Sequence, residues 1–115
     1  MFVYGRLTIV KKIKIEDIPS IRIVGKDYKV RVTEDLIHDN EVLHGLCEHH
    51  KCIISISQGQ DIQNKKDTVI HECAHAIAES MGVDIPEQHI LVLATGLYAW
   101  MRENPLLIKW IMQDV

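Results

Sequence analysis

At 115 residues, with 47% hydrophobic and 25% charged positions, the chain is long enough for one domain with a modest core and too apolar for a disordered one. A formal net charge of -3 and only 5% aromatic residues exclude a nucleic-acid binder that works by phosphate neutralisation or base stacking. Three cysteines, an odd number, argue for reduced thiols, and with no bilayer-length apolar run and no export-signal layout the expected setting is cytoplasmic, away from any membrane.

Residues 7–18 alternate apolar and polar around Ile9, Ile13 and Ile15, which predicts an edge strand ended by Pro19. The basic run Lys11, Lys12 and Lys14 is answered at once by Glu16 and Asp17, as on a solvated strand face. Ile21 and Ile23, then Tyr28, Val30 and Val32 alternating with Lys29 and Arg31, predict a hairpin turning at Gly25. Residues 33–40 read as a polar connection. Residues 41–47 and 52–57 read as two more strands joined across Glu48-His49-His50-Lys51, with Ile53, Ile54 and Ile56 favouring strand.

After a polar loop, a helix is expected from about residue 66 to 81, with Asn64 as cap, Asp67 as first-turn acid and Gly82 as the stop. Asp84 and Pro86 announce a second helix whose apolar stripe is Ile90, Leu93, Ala94, Leu97, Tyr98 and Met101. Asn104-Pro105 breaks it, and a short final helix is expected to pack Leu107, Trp110 and Ile111. Strands followed by helices describe an α+β fold: a small antiparallel sheet of about four strands, a motif helix, a second packed helix and a short C-terminal helix, all in one domain over residues 1–115.

The motif helix carries His71-Glu72-Cys73-Ala74-His75. Two histidines four apart project from one helix face about one turn apart, so both imidazoles can bind one tetrahedral zinc. Glu72, one step round the helix, can take a proton from a metal-bound water without being a ligand itself. An ordinary core helix with two satisfied histidines is the bland reading. A purely structural metal site would have no use for a base at position 72 and would favour four protein ligands, often cysteines.

With these residues in view, the chain resembles the zincins, and specifically the small phage-encoded metallopeptidases related to the ImmA/IrrE group, which are minimal gluzincins. The resemblance rests on residues 68–77, on Gly45 in a preceding hairpin, and on Leu93-Ala94-Thr95-Gly96-Leu97-Tyr98 followed by Asn104-Pro105; it covers roughly residues 20–110. It implies one zinc per chain held by His71, His75 and a carboxylate from the next helix, with Glu72 as general base. It also implies a peptide or protein substrate, such as a regulatory or host protein in a bacterial cytoplasm. Glu87, in the first turn of that helix, matches the family's acidic position. A tight helical hairpin centred near Val83 would instead bring Leu91 or Val92 to the level of His75, so His89 and Glu79 stay open as alternative ligands or as groups that orient one. Tyr98 or a backbone amide is the candidate oxyanion donor.

A second cluster, His44, Cys47, His49, His50 and Cys52, has ligand-type residues, but alternation across a hairpin turn sends neighbours to opposite faces. Cys73 is expected to be a small buried hydrophobe. If the strand at 52–57 lies at the edge nearest the cleft, its free backbone groups could hold an extended peptide. The alternative function is a non-catalytic regulatory binding protein on the same scaffold, with structural zinc or none, docking through the helix at 106–112.

Overall fold

The computed structural model describes residues 12–114. The strand expected at 7–18 lies partly outside that range, and its described part turns instead into a short 3-10 helix, Ile15–Asp17. The Asp17 carboxylate accepts the Lys14 amide at 2.9 Å, a local side-chain bond that competes with strand pairing. Strands β1 (Ser20–Ile23) and β2 (Lys26–Thr33) form the expected hairpin. Its turn residues Val24 and Gly25 both have positive φ, 46° and 82°, as the tight I′ turn requires.

The polar connection contains a small separate hairpin, β3 (Ile37–His38) and β4 (Glu41–Val42), turned by Asp39 and Asn40 at φ 51° and 65°. Asp and Asn tolerate this left-handed region better than other non-glycine residues. The chain then enters β5 (Gly45–Glu48), a 3-10 turn at His49–Lys51, and β6 (Ile53–Ser57). The main sheet has the order β1-β2-β6-β5 and is mixed, since β6 runs parallel to β2 and antiparallel to β5. The expected all-antiparallel sheet is corrected on that one pairing. Ile54 and Ile56 are fully buried on one face of β6, and Ser55 and Ser57 are also buried; a strand enclosed on both faces belongs inside a sheet. This central position also removes β6 as a free edge beside the cleft, and β5 takes that edge instead.

Helix α1 (Ile62–Ser80) lies across the sheet and touches β1, β5 and β6. It begins four residues earlier than expected because Asp61, not Asn64, is the cap: its carboxylate accepts the Asn64 amide at 2.9 Å. The helix ends as expected, with Gly82 at φ 70° and its amide on the Glu79 carbonyl, while the Val83 amide reaches the Ala78 carbonyl. Ile23, Tyr28, Ile54, Ile56 and Ala76 form the core, with Cys47, Val69 and Cys73 packed on it. Each buried large apolar side chain contributes on the order of 2 kcal/mol.

Helix α2 (Glu87–Glu103) packs on α1 through Ile90 and Ala94, the two residues of its stripe that are fully enclosed. Helix α3 (Pro105–Ile111) follows, with Pro105 in its first turn. Its expected packing is corrected. Trp110 is 68% exposed and Ile111 50%, because α3 leans mainly on α2 and no further layer covers it among the described residues. No described helix is long and apolar enough to cross a membrane.

Candidate metal centre

The four-residue spacing on α1 puts the rings of His71 and His75 edge to face, with centroids 4.9 Å apart. Their Nε2 atoms both point at Glu87, one on each carboxylate oxygen, at 2.7 Å in each case. The ligand atoms of these three residues all lie within 4.8 Å of one another, a group that could hold a metal ion. Bonds of about 2.0–2.2 Å place tetrahedral ligands roughly 3.3 Å apart, so the nitrogen-nitrogen-oxygen set needs small side-chain adjustments to close on an ion.

Glu87 reaches both histidines although it opens α2. The connection between the helices is six residues, Met81 to Pro86, and not a tight turn. At up to about 3.3 Å per residue it can travel back along α1 before α2 begins, and this defeats the level argument for Leu91 or Val92. His89 and Glu79 are exposed and lie outside the group. Two positions past Glu87, His89 points about 200° round the helix, away from α1.

Glu72 sits beside this group with only 7% of its surface exposed. Burial is the main cause that pushes its carboxyl up to about 7; the imidazole of His71 lowers it, Glu87 raises it, and a backbone hydrogen bond from Cys47 lowers it. A carboxyl near neutrality is well matched to general base work. The close seat of Glu72 against β5 depends on Gly45. A Cβ there would meet Thr68 Cγ2 at 2.5 Å and Glu72 Cγ and Oε2 at 3.0 Å. A second tie is a hydrogen-bonded bracket: the Thr68 hydroxyl donates to Gln60 Oε1 at 2.8 Å, and Gln60 Nε2 donates to the His44 and Ser57 carbonyls at 2.9 and 3.0 Å.

The metal group opens into a cleft of about 320 Å³ that His71, Glu72 and Glu87 themselves line, together with the start of β5 and the first turns of α1 and α2. Its lining includes Gln60, Asn64, Asp67 and Thr68, none of which the motif alone brings forward. Asp67 was readable only as a cap-region acid. Its spacing of four before His71 is the signal that would have placed it on the metal face.

Tyr98 lies eleven residues beyond Glu87, about 16 Å along the α2 axis, and its hydroxyl accepts from Arg102 at 3.0 Å. It is therefore not positioned to stabilise an oxyanion at His71 and His75. The cysteine and histidine cluster does not converge either. His49 Nδ1 pairs with the Tyr28 hydroxyl, Cys52 Sγ donates to the His49 carbonyl, His50 is exposed, and Cys47 packs on the core. Cys73 also packs there, and burial followed by the neighbouring Glu72 pushes its thiol up to about 11, which leaves it unreactive. Comparison with protein-family models, curated proteins and solved structures finds no match for this chain.

Proposed function

We propose that the chain is a zincin-type metallopeptidase that hydrolyses peptide bonds, with His71, His75 and Glu87 holding a zinc ion and Glu72 as general base. The observation that carries this reading is the convergence of Glu87 on both motif histidines while Glu72, adjacent in sequence, is buried beside them. A zinc ion bound by such a set supplies Lewis-acid activation of water and of the scissile carbonyl. Glu72 takes the proton from the attacking water and passes it to the leaving amine. The edge strand β5, whose ladder partner is β6 alone among the described residues, offers its outer backbone groups to an extended substrate by strand addition.

The competing reading is a non-catalytic binding protein, and the bare α3 face favours it, with Leu106 79% and Trp110 68% exposed. Metal content of purified protein, wild type beside His75→Ala and Glu72→Gln, tests the metal group, and hydrolysis of a peptide mixture by wild type but not by Glu72→Gln separates a peptidase from a binding protein that holds structural zinc. One zinc per wild-type chain, lost in His75→Ala and kept in Glu72→Gln, is the expected result. No stoichiometric metal after zinc is supplied would sink the peptidase reading and leave the binding protein.

A further inference from the structure

We propose that the chain forms a twofold-symmetric homodimer through the outer face of α3 and the adjoining flank of α2. The inference goes beyond the peptidase reading and does not rest on it. From Leu106 to Met112 the only polar residue is Lys109, and of the apolar residues in that stretch only Ile108 is not exposed. A helix that is apolar all round is stable in water when it is covered on every side, and α2 covers one side of α3.

Leu93, Leu97 and Trp100, spaced i, i+4 and i+7, run along one flank of α2 and are exposed as well. Asn104 joins the two stretches: its side-chain amide donates to the Trp100 carbonyl at 2.9 Å, which sets Trp100 beside the start of α3. At about 200 Å² for a fully exposed large side chain, these three and the exposed apolar residues of 106–112 present roughly 900 Å² together. The largest apolar patch of a monomer is about 300–600 Å², whereas a stable pair of proteins covers about 800 Å² on each partner. The face has the size of one half of an interface.

A second copy is the occupant this face suits. Around a twofold axis each patch meets itself, so a charge at its centre would be repelled by its own image, and these side chains carry none. Lys109 lies about 130° round α3 from the middle of the arc formed by Leu106, Leu107, Trp110 and Ile111. The helix also carries knob and hole together: Trp110 stands at a hollow of about 610 Å³ whose other walls are Leu106, Leu107, Lys109 and Gln113. Two α3 helices crossing antiparallel let each indole enter the other's hollow, with the Lys109 ammonium over the incoming ring. A bilayer surface suits the face poorly, because helices that lie on membranes are rich in basic residues on their polar side and α3 has one. Since α3 starts beyond the far end of α2, roughly 25 Å along its axis from Glu87, pairing there leaves the metal group open.

The test is the mass of the full chain by sedimentation equilibrium from about 1 to 200 µM, for wild type, Trp110→Glu, Leu106→Lys and, as control, Val42→Glu on the separate β3–β4 hairpin. Wild type should reach twice the chain mass with a micromolar dissociation constant. Trp110→Glu and Leu106→Lys should weaken pairing at least about a hundredfold and Val42→Glu by no more than about twofold. All four proteins should show the same circular dichroism and zinc affinity, since the changed side chains are exposed in the single chain and away from the metal group. Amide exchange of wild type at the two ends of the concentration range needs no variant: residues 106–112 should gain at least about tenfold protection at the high end. A monomer throughout the range, a dimer that both α3 substitutions leave intact, equal weakening by Val42→Glu, or a dimer with no added protection at 106–112 would overturn the proposal. A monomeric wild type that hydrolyses peptides sinks the dimer and keeps the peptidase reading. A dimer that binds no zinc does the reverse.

Discussion

Replacing Glu72 by Gln should stabilise the metal-free protein above neutral pH and change little in acid. Burial, the largest influence on Glu72, moves its carboxyl from 4.5 to about 7, with Glu87 acting the same way and His71 and Cys47 acting against them. A tenfold displacement of a proton equilibrium is about 1.4 kcal/mol, so holding the charged carboxylate costs the folded chain roughly 3 kcal/mol at high pH. Between pH 4.5 and about 7 the folded chain keeps a proton that the unfolded chain has released. The stability contributed by the neutral acid is therefore complete below the unfolded value and is lost as pH rises through the folded one. Glutamine has nearly the same shape and never carries the charge. Urea unfolding of both proteins in chelator at about pH 4, 6 and 8 reads the difference. The variant should be more stable by roughly 2–3 kcal/mol at the highest pH and within about 0.5 kcal/mol at the lowest. A difference that does not vary with pH, or a wild type more stable at the highest pH, would refute the account of Glu72 as a buried acid.

Gly45→Ala should destabilise by about 1–3 kcal/mol in thermal or urea unfolding, because its Cβ meets Thr68 Cγ2 at 2.5 Å and α1 must lift from β5; an unchanged melting curve would contradict that contact. Glu87→Ala should weaken zinc binding at least about a hundredfold in chelator competition, while His89→Ala and Glu79→Ala leave it unaltered; equal losses for all three would point to a nonspecific site. Tyr98→Phe should leave peptide hydrolysis within about twofold of wild type, whereas loss of a true oxyanion donor costs on the order of a hundredfold.

Much of the local architecture was readable from residue order. The Gly25 hairpin, the helix stop at Gly82 and the break at Asn104-Pro105 each depend on the conformational habits of one or two residues, which act within a few positions. The pairing of β6 with β2 was not readable in this way. Parallel neighbours are brought together by the intervening β3–β4 hairpin and β5, and no short-range signal records which strand a buried run such as Ile53–Ser57 will sit beside. The apolar stripes of α2 and α3 misled for a related reason: periodicity shows that a helix has an apolar face, and only the neighbouring layers decide whether that face is covered.

The candidate site divides along the same line. The sequence by itself determined that His71 and His75 share one face of α1, because a four-residue interval on a helix leaves no other arrangement, and that Glu72 stands beside them. Tertiary structure alone decided which acid completes the group. A six-residue connection has enough reach to set the next helix at several heights, and packing of Ile90 and Ala94 against α1 selects the height at which Glu87 meets both imidazoles. Tertiary structure also removed Tyr98 by its distance along α2 and enclosed Glu72 behind Gly45. It left Asp67 Oδ1 buried with no donor among the described residues, a property of surroundings drawn from separate parts of the chain and therefore invisible in any one stretch of it.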